Sequence, residues 1–158
     1  MAQFKVRDIM TTEVVTLSPK DTIRDATKRL AVENITGAPV VDEEYRLVGV
    51  VSGNDILDLL VKYDKKYKLS EIGNLSAYFD GKFDEPKLKA AVEEFASTKV
   101  SDIMVRTVLT TSPDSSILDL LNSMINMDIS RVPVLEKGVL IGIVSRSDIM
   151  FAIYKRKI

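Results

Sequence analysis

Two tetrapeptides carry the groups best suited to chemistry, Ser52-Gly53-Asn54-Asp55 and Ser145-Arg146-Ser147-Asp148. Each sets a hydroxyl three residues ahead of a carboxylate, where a short apolar run (Gly49-Val50-Val51, Gly142-Ile143-Val144) gives way to a helical pattern. Two chemistries fit that spacing. In one, the pair forms a capping box: Ser accepts from the N–H three residues on, and Asp accepts from the Ser N–H. In the other, open N–H groups at a helix start hold an anion, and the carboxylate accepts from both hydroxyls of a vicinal diol such as a ribose. One tetrapeptide does not choose between them. A second set of residues precedes two prolines, Ile35-Thr36-Gly37-Ala38 before Pro39 and Ile129-Ser130-Arg131-Val132 before Pro133. Such a segment is extended; it either opens an edge strand or lines a cleft and offers unpaired backbone groups to a flat heterocycle. Arg131 and Arg146 have Gly37 and Gly53 as counterparts. An Arg beside a helix start suits a phosphate through charge-assisted hydrogen bonds, and a solvated surface Arg is the alternative.

What is missing narrows the field. The 158 residues contain no Cys and no His, which excludes thiolate catalysis, zinc-thiolate sites and the Ser-His-Asp triad. It also removes the usual general base near neutral pH. An enzyme is not expected, nor a catalytic metal or cofactor. With no Trp and 6% aromatic residues, a stacking platform for single-stranded nucleic acid is not expected either. The net charge of −1 gives no global attraction for a polyanion. The short basic runs (Lys62, Lys65, Lys66 and Lys68; Lys155-Arg156-Lys157) read as solvated faces or helix C-terminal charges. Met1-Ala2-Gln3-Phe4-Lys5 lacks an apolar signal core, and no apolar run approaches the ~20 residues that span a bilayer. A cytoplasmic protein without membrane contact is the expectation.

The chain repeats itself. Val6-Arg7-Asp8-Ile9-Met10 matches Val100-Ser101-Asp102-Ile103-Met104 at an offset of 94 positions. The same slide pairs Val14 with Val108, Thr16 with Thr110, Ser18-Pro19 with Ser112-Pro113, Ile23 with Ile117, and Pro39-Val40 with Pro133-Val134. One residue is lost in the next turn, after which residues 49–56 lie on 142–149. Chance does not align so many special residues in order, so this is a duplication.

Each copy predicts the order strand, helix, strand, strand, helix. A short strand (about residues 14–17 and 107–111) ends at Ser-Pro. An amphipathic helix follows, with Ile23, Ala26 and Leu30 on one face in the first copy and Ile117, Leu120, Leu121 and Met124 in the second. Two strands come next, joined by Glu43-Glu44-Tyr45-Arg46 or by Lys137-Gly138, and a last helix starts at Ser52 or Ser145. Residues 1–63 and 100–158 are thus two repeats, with 64–99 a polar connector that carries a short helix over Lys87–Ala96. The helix over 117–127 is apolar around most of its circumference, whereas its counterpart over 22–33 carries Arg24, Lys28 and Arg29 outside. A helix apolar on several sides is covered on several sides. A homodimer through 114–127 and 146–156, including Ile149, Met150 and Ile153, follows as an expectation.

The duplicated pattern of D-I-M, Ser-Pro, helix, Pro-Val and G-h-h-S-x-x-D resembles tandem CBS domains (cystathionine β-synthase motifs), a pair of which forms a Bateman module. The resemblance covers about residues 4–63 and 98–157. It implies an α+β fold in which two motifs pack with pseudo-two-fold symmetry and leave two clefts for adenosine-containing ligands. It further implies that Asp55 and Asp148 hold ribose hydroxyls and that Ser52, Ser145 and Ser147 support ribose or phosphate. By the same analogy, Ser52 and Asp55 face Val108, Leu109, Ser130 and Pro133. Ser145, Ser147 and Asp148 face Thr11, Thr12, Val14, Thr36, Ala38 and Pro39. Arg131 falls where some members carry a phosphate-contacting Arg, with Arg146 beside it, so the clefts should differ in phosphate affinity. The function implied is a stand-alone sensor of AMP, ADP or ATP that acts on a partner or through its own assembly. S-adenosylmethionine or NAD in the same clefts, or a structural dimerisation module without a nucleotide role, are the alternatives.

Overall fold

A computed structural model describes residues 4–68 and 86–155. The elements follow from capping and apolar period. Helix α1 (Ile23–Val32) starts at Thr22, which accepts from the Asp25 N–H while Asp25 caps Thr22 in return. It buries Ile23, Ala26 and Leu30, the i, i+3, i+7 stripe of an amphipathic helix. Strands β1 (Gly37–Val41) and β2 (Leu47–Ser52) pair as one two-stranded sheet. Asp42 shapes their turn, its Oδ1 accepting from the N–H groups of Glu44 and Arg46 at 3.0 and 2.9 Å. Helix α2 (Gly53–Tyr67) follows directly. In the connector, α3 (Pro86–Ser97) realises the helix expected over Lys87–Ala96. Gly73, Asn74 and Gly81, also assigned to that connector, lie outside the described residues.

The second copy gives a short helix α4 (Val100–Ile103), then α5 (Ile117–Asn126), the antiparallel strands β3 (Arg131–Glu136) and β4 (Val139–Ser145), and α6 (Arg146–Tyr154). Lys137 and Gly138 both take positive φ, 52° and 83°, which closes a tight hairpin in the sense that matches strand twist. The expected strands over 14–17 and 107–111 do not form as strands. Each shrinks to one parallel bridge, Leu17 to Val40 and Thr111 to Val134.

The described residues group into two compact units, and these are not cut at the repeat boundaries. One comprises residues of Met1–Thr16, Val41–Gly49 and Arg106–Ile158; the other comprises Leu17–Val40 and Val50–Val105. The D-I-M leaders are exchanged between the repeats. In the first unit, the leader of copy one docks on copy two: Val6 N–H donates to Ser115 O (3.0 Å), Arg7 N–H to Pro113 O (2.9 Å), and Thr11 bridges Ile143 through two 2.9 Å bonds. In the second unit, the leader of copy two docks on copy one through the equivalent groups. Val100 N–H donates to Asp21 O (2.8 Å), Ser101 N–H to Pro19 O (3.1 Å), and Val105 bridges Val50 at 2.9 Å both ways.

The cores match residue for residue. Val6, Ile117, Leu120, Met124, Val132, Val134, Val144 and Ile149 form one buried cluster in the first unit. Val100, Ile23, Ala26, Leu30, Ala38, Val40, Val51 and Ile56, their counterparts under the repeat, are buried in the second. Two exposed ion pairs fasten the first leader, from Arg7 (2.8 Å) and Lys5 (3.5 Å) to Asp114. The hydrogen bond and charge of Arg7 hold the Asp114 carboxyl below its usual range. In the second unit α3 packs on α1 and α2. Phe95 stands edge-on to Tyr63 at 5.7 Å, Tyr67 donates to Glu94 at 2.6 Å, and Arg24 pairs with Glu93 at 3.0 Å.

Candidate functional site

Both Ser-x-x-Asp tetrapeptides stand where a strand runs into a helix, and both are capping boxes. Ser52 accepts from the Asp55 N–H at 3.3 Å, and Asp55 Oδ2 accepts from the Ser52 N–H at 2.8 Å. Ser145 and Asp148 repeat this at 3.1 and 2.8 Å. The strand before each box is buried on alternate residues, so the Ser arrives in extended conformation (φ −109° and −108°) and the next residue turns into the helix. The capping reading is therefore realised in full, yet it does not exhaust either carboxylate. Asp55 Oδ2 also takes the Ser52 hydroxyl at 3.1 Å, and Asp55 Oδ1 has no protein partner among the described residues. At Asp55 the cap orients the carboxylate through Oδ2 alone.

Residues before the prolines are placed by the same helix starts. Gly53 N–H donates to Thr36 O at 2.8 Å, and Arg146 N–H donates to Ser130 O at 3.0 Å. Of the backbone groups in these two segments, the Thr36 and Ser130 carbonyls thus already anchor the first residue of a helix. Pro39 and Pro133 are buried, and their carbonyls accept from Leu17 and Thr111 at 2.9 and 3.0 Å. Gly37 belongs to a close approach: a Cβ there would stand 3.1 Å from Val51 O and 3.3 Å from Ser52 Cα. The counterpart of Arg131 is thus a tight backbone contact rather than an open place that lost its Arg.

Arg146, expected among the phosphate-binding groups, faces elsewhere. Its Nε donates to Ile129 O at 3.1 Å, and one terminal nitrogen reaches Met124 O and Asp128 Oδ1 at 3.4 Å each. A guanidinium there satisfies carbonyls at the C-terminus of α5, where the helix dipole favours a cation. Arg131 is exposed at the start of β3.

Thr11 meets Asp148, as the resemblance implied, donating to Oδ1 at 3.3 Å. Thr12, Ser147 and Ser130 are exposed, whereas Val14, Val108 and Leu109 are half-buried, Leu109 against the first unit's core. Thr36, Ala38 and Pro39 belong to the second unit, and Ser145, Ser147 and Asp148 to the first. The signal missed in the sequence was the bond from the first helical residue back to the segment before the proline. It joins two motifs that seemed separate, and only their similar spacing in the two copies, 17 residues from Thr36 to Gly53 and 16 from Ser130 to Arg146, hinted at it.

Among the described residues no cluster of acidic side chains could hold a metal ion, and no helix is long and apolar enough to cross a membrane. Comparison with known proteins decides the family, for the model of the CBS domain matches residues 6–62 and again 100–155. The chain belongs to the CBS domain family. It carries the CBS motif as a tandem pair, and its mixed helix and strand fold, with two small antiparallel sheets, is that of the solved CBS pairs.

The CBS pair is 34% identical to the uncharacterised protein MJ1426 of Methanocaldococcus jannaschii, over 94% of this chain and 90% of that one. Five other curated relatives are longer, the chain spanning 14–43% of their length. Among solved structures, it superposes on CBSX2 in complex with AMP with a TM-score of 0.72, 25% identity, and coverage of 98% of this chain and 99% of that one; CBSX2 is from Arabidopsis thaliana. It shares the fold of the CBS pair of protein MJ0100, in complex with 5′-methylthioadenosine and S-adenosyl-L-methionine, at TM-score 0.66, 23% identity, and coverage of 98% of each chain.

Proposed function

We propose that this CBS pair binds an adenine nucleotide, AMP, ADP or ATP, and that the bound nucleotide regulates a partner protein or the pair's own assembly. No catalysis is assigned to it. The observation that carries the reading is the carboxylate at each helix start, held by its own capping box and, at Asp55, with Oδ1 free of hydrogen bonds among the described residues. An oriented carboxylate accepts the two hydroxyls of a ribose without paying again for its own ordering. The AMP complex of CBSX2 adds weight to the choice of ligand. Ser52, Ser145 and Ser147 are assigned to ribose or phosphate, and Arg131, exposed at the start of β3, to phosphate. Val14, Val108, Leu109, Ala38 and Pro39 supply apolar surface for adenine, and Thr12, Thr36, Ser130 and Pro133 backbone or hydroxyl contacts.

Nucleotide binding shifts a conformational equilibrium only by its differential affinity for the two states. A thermal-shift panel of adenosine, AMP, ADP, ATP, S-adenosylmethionine and NAD tests the reading. A selective rise with one adenine nucleotide supports it. A rise with S-adenosylmethionine alone moves the assignment to that ligand, and a flat panel removes it.

A second reading rests on a different observation. Leu118, Ile125 and Met127 at α5, with Met150, Phe151, Ile153 and Tyr154 at α6, are more than half exposed, whereas Ile149, expected on the same face, is buried in the core. The pair is accordingly read as a homodimer through these helices, and the cytoplasm as its place of action. Sedimentation at micromolar concentration checks the dimer.

A further inference from the structure

The two half-sites are chemically unequal at one position outside the Ser-x-x-Asp boxes. Thr11 and Val105 are equivalent under the repeat, and each bridges the strand that feeds a box. Thr11 is fixed to Ile143, and Val105 to Val50, by paired main-chain bonds of 2.9 Å. Thr11 then donates its hydroxyl to Asp148 Oδ1 at 3.3 Å, while Asp148 Oδ2 is taken by the Ser145 N–H at 2.8 Å. Val105 has no donor to give. At Asp55 the whole cap falls on Oδ2, from the Ser52 N–H and hydroxyl, and Oδ1 has no hydrogen-bond partner among the described residues.

We propose that Thr11 is an internal occupant of the Asp148 half-site, holding the oxygen that a ligand diol needs, so that the Asp55 half-site fills first. The proposal rests on the nucleotide reading above. The hydroxyl is a fitting stand-in for one ribose hydroxyl: same donor, same acceptor, presented by a backbone already held in place. Its bond is long and solvent-exposed, and a displaced hydroxyl regains water. The handicap at Asp148 is therefore a few-fold in affinity rather than decades. Thr11 acts as a positioning residue, through Asp148, and through it nucleotide binding is coupled to the grip on the exchanged leader.

Calorimetric titration with AMP tests this, with one half-site silenced at a time. Asp148→Ala, which keeps the Asp55 half-site, is expected to bind AMP more tightly than Asp55→Ala. Adding Thr11→Val to Asp55→Ala should tighten AMP by about threefold to tenfold, and Thr11→Ser should leave the affinity unchanged. Val105→Thr in the Asp148→Ala protein should weaken binding by a similar factor. If Thr11→Val leaves AMP affinity unchanged or lowers it while the unaltered protein binds AMP, the occupant role is wrong and the nucleotide reading survives. If the unaltered protein binds no AMP, both fall. Thr11→Val keeps the main-chain bridge, and its melting temperature without ligand verifies that the leader stays docked.

Discussion

Asp25, Glu94 and Asp114 share a feature that sets how this chain answers to acid. The carboxyl of Asp25 is held below its usual range by the Thr22 N–H and hydroxyl, that of Glu94 by the Tyr67 hydroxyl, and that of Asp114 by Arg7. A carboxylate whose pKa is lower in the folded state adds stability that is present above its unfolded pKa. That stability disappears as pH falls through the folded value. Stability is therefore expected to decline on acidification below about pH 4.5. It should be level between pH 6 and 8, because the chain has no His to titrate there. Urea melts across pH 3 to 8 read this directly, and a midpoint that moves between pH 6 and 8 would contradict it. At this scale much of the site was legible in the sequence. Ser52, Asp55, Ser145 and Asp148 could be named because a capping box has a fixed spacing. The direction of Arg146 was not legible, since a long side chain chooses among acceptors that only the folded backbone brings near.

Helices α5 and α6 differ from α1 and α2 in what lies outside them. Where α5 has Leu118, α1 has Arg24, and Arg24 is paired with Glu93 of α3. The connector helix thus serves as a partner for the first copy's helices, whereas the second copy's outer residues are uncovered within its own unit. Leu118→Glu or Met150→Glu is expected to convert a dimer to monomer in sedimentation without lowering the melting temperature of the monomer, because these side chains are 70% and 66% exposed. Dimers that persist in both variants would place the interface elsewhere. The apolar circumference of residues 117–127 announced this face, for helical period and composition are local properties. The short strands expected over 14–17 and 107–111 shrank to single bridges because β-propensity counts only where a neighbouring strand supplies partners.

Across the whole molecule, the exchange of leaders is what the repeat pattern could not disclose. The duplication marks Val6 and Val100 as equivalent, yet an offset of 94 positions says nothing about which copy each leader docks on. Pairing over such a distance leaves no local trace. Val6 is fully buried in the core of copy two, and Val100 in that of copy one. Val6→Ala is expected to cost about 2 kcal/mol through lost apolar burial and the cavity left behind. Its effect should appear in amide exchange of residues 117–149, which belong to the other repeat in sequence. Loss of protection confined to the first repeat would refute the exchange.

The central claim is that the Ser-x-x-Asp boxes are caps that also hold a ribose, and Asp55→Ala measured against AMP tests it most directly. Stability without ligand should fall by about 0.5–2 kcal/mol, as for other lost caps. In the unaltered protein, AMP at a hundred times its dissociation constant should add about 2.7 kcal/mol, and in Asp55→Ala the contribution of that half-site should vanish. An Asp55→Ala protein that is less stable yet keeps the full AMP response at both half-sites would contradict the account, leaving the carboxylate a cap alone.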